Sequence, residues 1–212
     1  SASTIISNMI ISNNYSSTVG AGIYNNANSS PTISNIIFHN NTASSWGGGI
    51  ANYGSPSIIS NVVFYNNSAS LGGAIFNFYS SPTISNITVY NNTSSSGAVV
   101  FDNNSSSTIK NSIIWGNSNN LSGQSSLVMT YSNIQGGYAG TGNINSDPLF
   151  VNVSDPDGAD NIWGTSDDGL RLSASSPSRN TGTNTGAPST DITALARPKG
   201  ILTDMGAYEY NE

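Results

Sequence analysis

Cysteine is absent from the 212 residues. That excludes disulfides and thiolate metal sites. Charge is scarce: Asp, Glu, Lys and Arg make up 8% of the chain, against roughly a quarter in an ordinary globular protein. Only five residues are basic. This excludes the basic footprint that nucleic acid or an anionic membrane surface requires. Histidine occurs once, as His39. No apolar run reaches the ~18 residues of a membrane-spanning helix. No signal-peptide pattern is visible, so the chain reads as a mature protein or a fragment. Of the 16 charged residues only Asp102 and Lys110 precede residue 147, so the net charge of −6 belongs to the C-terminal third.

Asn, Ser, Thr and Gly fill the space left by charge. Such a composition is often disordered, but here Ile, Val and Phe recur at regular intervals. One column of asparagines runs Asn8, Asn35, Asn61, Asn86, Asn111, at intervals of 27, 26, 25 and 25 residues. A second lies six residues on, at Asn14, Asn41, Asn67, Asn92 and Asn117. A third runs Asn25, Asn52, Asn77, with Asp102 as its polar substitute. Between the first two columns sit β-branched or aromatic runs too short for helices, such as Ile36-Ile37-Phe38 and Val62-Val63-Phe64. Thr-Ile-Ser units precede them, and Gly48-Gly49-Ile50 or its equivalents follow.

Three short strands per rung of about 25 residues define a β-solenoid. The fold expected is all-β, a parallel β-helix of about seven or eight rungs stacked at the strand spacing. Residues 1–136 form the regular part. Residues 137–212 are expected to continue the coil less regularly, with an acidic loop at 155–169 and a terminal Gly-Ala-Tyr-Glu-Tyr strand. Like residues then lie above one another. Asn35, Asn61, Asn86 and Asn111, and likewise Asn41, Asn67, Asn92 and Asn117, are expected as side-chain amide ladders.

The motif Phe-x-x-Asn followed by Gly-Gly-Ala-Ile, best preserved over Phe38 to Ile50 and Phe64 to Ile75, resembles the repeats of chlamydial-type polymorphic outer-membrane proteins. The resemblance implies a right-handed parallel β-helix in a surface-exposed adhesin passenger. The segments from Asp147 to Val151, 167 to 182 and 204 to 210 are similar to the tail of secreted bacterial β-helix proteins. In those proteins the tail often precedes a cell-surface anchor and often carries acidic loops.

Several candidate sites follow. Asp155, Asp157, Asp160, Asp167 and Asp168 place five carboxylates in fourteen residues, with Gly158 to give a sharp turn. Ca²⁺ takes six to eight such oxygens, so the loop is either a structural calcium site or a solvated acidic turn. If the residues one and three after the first-column Asn point inward, His39, Tyr65, Tyr90 and Trp115 line up outside. That strip either binds a host or cell-surface glycan or protein, or is covered by the charged C-terminal segment. Thr32, Ser57, Thr83 and Thr108, beside Ser34, Ser60 and Ser85, form hydroxyl columns of the kind that suits ice; Lys110 breaks one of them. Catalysis needs clustered acid, base or cationic groups, and the regular part offers only His39, Asp102 and Lys110, far apart. The sequence therefore reads as non-enzymatic: an extracellular or cell-surface adhesive or structural module, with a glycan-binding or polysaccharide-processing β-helix as the alternative. Thr4 to Asn8 already stands in repeat register, so the first rung is expected either to continue a longer coil or to stack head to tail on another copy as a filament.

Overall fold

The computed structural model describes residues 4–118, 121–123 and 127–211. Among them there is no helix. The first rung is β1 (Ile5–Ser12), β2 (Tyr15–Ser16) and β3 (Ile23–Asn25); the second is β4 (Thr32–His39), β5 (Thr42–Trp46) and β6 (Ile50–Tyr53). The third is β7 (Ile58–Tyr65), β8 (Ser68–Leu71) and β9 (Ile75–Phe78); the fourth is β10 (Thr83–Tyr90), β11 (Thr93–Ser96) and β12 (Val100–Asn103). A fifth, shorter rung has β13 (Thr108–Lys110), β14 (Ile113–Trp115) and β15 (Leu121–Gly123), and β16 (Val128–Thr130) with β17 (Asn133–Ile134) adds one more layer to the first sheet. Every pairing joins one rung to the next in parallel, giving three sheets of eight, four and five strands. The fold is thus a parallel β-solenoid with about four complete turns.

The asparagine-rich sequence is explained by the corners. Leaving the first sheet, each rung turns through a residue in the left-handed region: Asn13, Asn40, Asn66, Asn91 and Gly116, with φ between 54° and 66°. Entering the third sheet it turns through Gly20, Gly47, Gly72 and Gly97. The first-column asparagines Asn8, Asn35, Asn61, Asn86 and Asn111 are also left-handed, φ 50° to 57°, and bend the long first-sheet strand in its middle. Asn, with Asp and His, is among the few residues with a side chain that adopt this region readily.

The repeated Asn-Asn doublet therefore has two jobs. Its first member turns the chain. Its second points into the coil and builds a ladder. Asn14, Asn41, Asn67 and Asn92 each donate Nδ2 to the Oδ1 of the next rung's Asn, ending on Asn117, at 2.9–3.1 Å. The backbone N–H of each donates to the same oxygen. The third column forms a second ladder, Asn25 to Asn52 to Asn77 to Asp102, at 2.7–2.8 Å. Buried amides are costly unless paired, and stacking supplies each with a partner of its own kind.

The residues one and three after the first-column Asn do point inward. Ile36, Val62 and Ile87 are fully buried, as are Phe38, Phe64 and Val89. Phe38 and Phe64 stack with ring centroids 5.1 Å apart. Two expectations need correction. Thr32 pairs with Ile58, not Ser57, so an isoleucine interrupts that hydroxyl column and Ser57 is buried instead. Pro56 lies five residues before its column asparagine where Pro31 and Pro82 lie four before theirs; register follows the bend at Asn, and the corner absorbs the extra residue. Secondly, residues 137–211 add no further strand and only isolated bridges, Gly206 to Tyr210 included. They carry no Asn or Gly at the rung period, so they cannot make the corners. Residues 137–146 still stack on the last layer, with Asn133 bridging Ile144 in parallel and the Tyr131 and Ile134 N–H groups donating to the Thr141 and Ile144 carbonyls; the residues beyond run along the outside of the first sheet.

Candidate functional site

The outward strip of the first sheet forms as its spacing implies: His39 pairs with Tyr65, Tyr65 with Tyr90 and Tyr90 with Trp115. The C-terminal segment covers it. Trp163 lies against His39 and Tyr65, with ring centroids at 5.4 and 5.5 Å, and Phe150 meets Tyr90 edge-on at 5.7 Å. Leu170, Ala207 and Tyr208 bury Ile37 and Val63 beside the strip, and Leu172 and Met205 bury Ile113. All four strip residues are half-buried. Burial lowers the pKa of His39 and raises that of Tyr65. Of the two readings of this strip, the covering segment is the one the geometry realises.

First-column asparagines dock that segment. Asn61 donates to the Thr190 carbonyl at 2.7 Å. Asn111 donates to the Thr183 carbonyl and accepts from the Thr183 N–H, both at 2.8 Å. The expected ladder through Asn35, Asn61, Asn86 and Asn111 is therefore only partly made. Asn35 and Asn61 each bond the rung above, but Asn111 serves the segment, and the Asn86 side-chain amide, fully buried between them, has no hydrogen-bond partner among the described residues. Gly206 approaches the sheet closely. Its φ is +97°, and a Cβ there would lie 2.9 Å from both Ile113 and Thr88.

The residues around Gly206 form a clasp. Arg197 and Glu209, both with fully buried side chains, approach at 3.3 Å between Nε and Oε2. That is an ion pair without hydrogen-bond alignment. The Arg197 guanidinium donates to the carbonyls of Gly206 and Ala207. Glu209 accepts from the N–H groups of Lys199 and Asp204. Burial lowers the pKa of Arg197 and raises those of Asp204 and Glu209. The motif 204–210 is thus a fastening rather than a strand.

In the acidic loop the carboxylates go to separate partners. Asp168 turns inward and accepts from the Tyr208 hydroxyl at 2.6 Å and from the Gly164 N–H at 2.8 Å. Its burial raises its pKa, and burial raises that of Tyr208 further. Asp167 accepts from the Thr165 hydroxyl and the Asp160 N–H, and these bonds lower its pKa. Asp160 caps the Ile162 N–H. Gly158 does make the sharp turn, at φ +73°, but the turn directs carboxylates to backbone donors. Together with Asp155 and Asp157 they form no group of three or more among the described residues that could hold a metal ion. A chelator is accordingly expected to leave the melting midpoint unchanged in calorimetry; a drop would show that calcium gathers carboxylates which the structure keeps apart.

His39, Asp102 and Lys110 are also separated. Asp102 closes the third ladder, accepting from Asn77 and Ser107. Lys110 donates to the Thr185 carbonyl at 2.8 Å. His39 lies against Trp163.

Sequence reasoning missed a second aromatic face, on the third sheet, whose rim is exposed while Ala51 and Phe76 at its centre are buried. Tyr24, Ala51, Phe76 and Phe101 occupy one outward column, and Tyr53 pairs with Phe78 in the next. Trp46 leans in from the corner and stacks on Phe76 at 5.1 Å; Phe76 stacks on Phe101 at 5.7 Å, and Tyr53 on Phe78 at 4.9 Å. Tyr24 is 47% exposed, Trp46 39%, Tyr53 41% and Tyr79 63%. The signal was present: aromatics flank the third Asn column on both sides, at Tyr24, Phe76 and Phe101 before it and Tyr53 and Phe78 after it.

Stacked parallel rungs, inward amide ladders and left-handed corners define a β-solenoid repeat protein. Two stretches, 35–53 and 61–77, match the model of the Chlamydia polymorphic membrane protein repeat. Over those two stretches the parallel β-helix is similar to polymorphic-membrane-protein repeats, a family that implies a surface-associated location. The matched stretches contain the Asn bends, the Phe38–Phe64 stack and the glycine corners. No curated protein and no solved structure matches the chain.

Proposed function

We propose that this β-helix is an adhesive module at a bacterial cell surface, without catalytic activity, and that it meets its partner through the outer face of the third sheet. One observation carries the reading. The two aromatic strips of the solenoid are treated differently: the first-sheet strip lies under a clasped segment, while Tyr24, Trp46, Tyr53 and Tyr79 remain exposed. Exposed, clustered aromatics on a rigid scaffold are typical of binding surfaces. The dispersal of His39, Asp102 and Lys110 supports the absence of chemistry, because acid–base catalysis needs such groups within reach of one bond.

The test is binding of the fluorescently labelled protein to host-type cells. Trp46→Ala with Tyr53→Ala is expected to remove most of the binding, about tenfold or more. Tyr15→Ala, on the second sheet, is expected to leave it intact. Equal binding by all three proteins would sink the assignment of this face.

A further inference from the structure

The third-sheet face contains a gap whose chemistry narrows the choice of partner. In the column Tyr24, Ala51, Phe76, Phe101, only Ala51 lacks a ring. Trp46 fills part of the space by lying on Phe76, but no ring contact joins it to Tyr24. What remains is a slot of about 80 Å³ lined by Val19, Tyr24, Trp46, Ala51, Tyr53 and Phe76. The nearby Asn52 amide is already engaged, donating to Asn77 and accepting from Asn25. Its bottom therefore offers no unpaired polar side chain. A group that enters must be small and apolar, because an unpaired polar group would lose its water without compensation.

The rim has a different character. Tyr24 and Tyr53 bring exposed rings with hydroxyls, and Trp46 brings an exposed indole. Such side chains join an apolar face to a polar tip. Charge is missing altogether: no Asp, Glu, Lys or Arg occurs before Asp102, and Asp102 is buried within its ladder. The face thus has no counter-charge for a sulfate, a sugar carboxylate or a charged peptide. An extended peptide adding itself as a strand is also disfavoured, since it needs a free sheet edge, and β6 is paired on both sides, with β3 and β9.

We propose that this slot is a subsite for a neutral, N-acetylated glycan, the pyranose C–H face lying on the rim rings and the acetamido methyl entering beside Ala51. The proposal rests on the adhesive reading above and names the partner of the same face. A pyranose offers apolar C–H faces to the rings and hydroxyls to the tyrosines and water. Its acetamido methyl is a group of the size and polarity that the slot admits.

The probes are chitotriose and cellotriose, which differ in their acetamido groups, titrated into the intact chain by calorimetry and by protein NMR. Chitotriose is expected to bind and cellotriose to bind about tenfold more weakly, the scale of one small group filling an apolar pocket. Ala51→Leu, which fills the slot from its floor, is expected to lose about tenfold in chitotriose affinity while keeping or raising the melting midpoint. Trp46→Ala removes a wall at an exposed position and is expected to lose as much, so the test does not depend on one variant folding. Tyr15→Ala is the unaffected control. Equal binding of the two sugars, binding indifferent to both variants, or no binding of chitotriose each overturns the proposal. If chitotriose fails but cell binding still depends on Trp46, the glycan subsite falls and the adhesive face stands. If cell binding is indifferent to Trp46 as well, both fall.

Discussion

Asn67→Ala is expected to be among the most damaging single substitutions in the coil, and Asn66→Gly, its immediate neighbour, close to neutral. Asn67 is fully buried. Its Oδ1 accepts from both the backbone N–H and the Nδ2 of Asn41, at 3.1 and 3.0 Å. Its Nδ2 donates to the Phe38 carbonyl at 2.9 Å and to Asn92 Oδ1 at 3.0 Å. Truncation leaves the Asn41 N–H without an acceptor, removes one of the two acceptors of the Asn41 amide, takes a donor from Phe38 and opens a hole between rungs. At about 1–3 kcal/mol for each buried group left unsatisfied, the total is on the order of 4 kcal/mol. For a chain of this length that is a fall in melting midpoint of about 12 °C. Asn66 behaves otherwise. It is exposed, at φ 54°, and makes a side-chain bond to Asn40 in solvent. Gly116 occupies the equivalent corner one rung beyond Asn91, so glycine already serves at this position. Paired melts of the two variants separate the jobs of the doublet; equal losses would mean that both asparagines act as ladder residues or that neither does.

That contrast also marks how much was legible in the sequence. Period, strand type and the inward phase of Ile36 and Phe38 were readable because every rung obeys the same steric rules, so each column repeats one environment. The buried second ladder was legible for the same reason. Roles that depend on a non-repeating partner were not. Asn61, Asn86 and Asn111 look alike in sequence, yet two of them hold the C-terminal segment and one stands buried between. The segment itself carries Phe150, Leu170 and Ala207 without a period, which gives no signal of where it packs. The sequence also carried the third-sheet aromatics, but the first-sheet strip was equally aromatic. Only the packing of Trp163 and Phe150 shows which strip is covered.

The C-terminal segment should behave as a separable cover, and Arg197→Met is the change that tests it. Arg197 and Glu209 are buried together, and burial pushes each toward its neutral form. Each charge is therefore tolerated because the other is present. Removing the guanidinium leaves the Glu209 carboxylate buried without its counter-ion and the Gly206 and Ala207 carbonyls without their donors. Breaking a buried pair in this way costs about 3–5 kcal/mol. The loss falls on the cover, because the rungs pair with one another and the segment touches them only from outside. The expected result is a coil with unchanged far-ultraviolet dichroism whose amides at Asn61, Thr88 and Asn111 exchange faster, and whose loop at 155–169 becomes open to protease. Trp115 and Trp163 should shift to longer-wavelength emission as Tyr65 and Tyr90 are uncovered, while Trp46, at the corner against Phe76 of the third sheet, keeps its environment. Adding Glu209→Gln should recover part of the loss, since a neutral amide is far less costly to bury than an unpaired carboxylate. If coil and cover instead melt in one transition by both probes, the segment belongs to the cooperative core of the solenoid, and the first-sheet strip is interior in the same sense as Phe38 and Phe64.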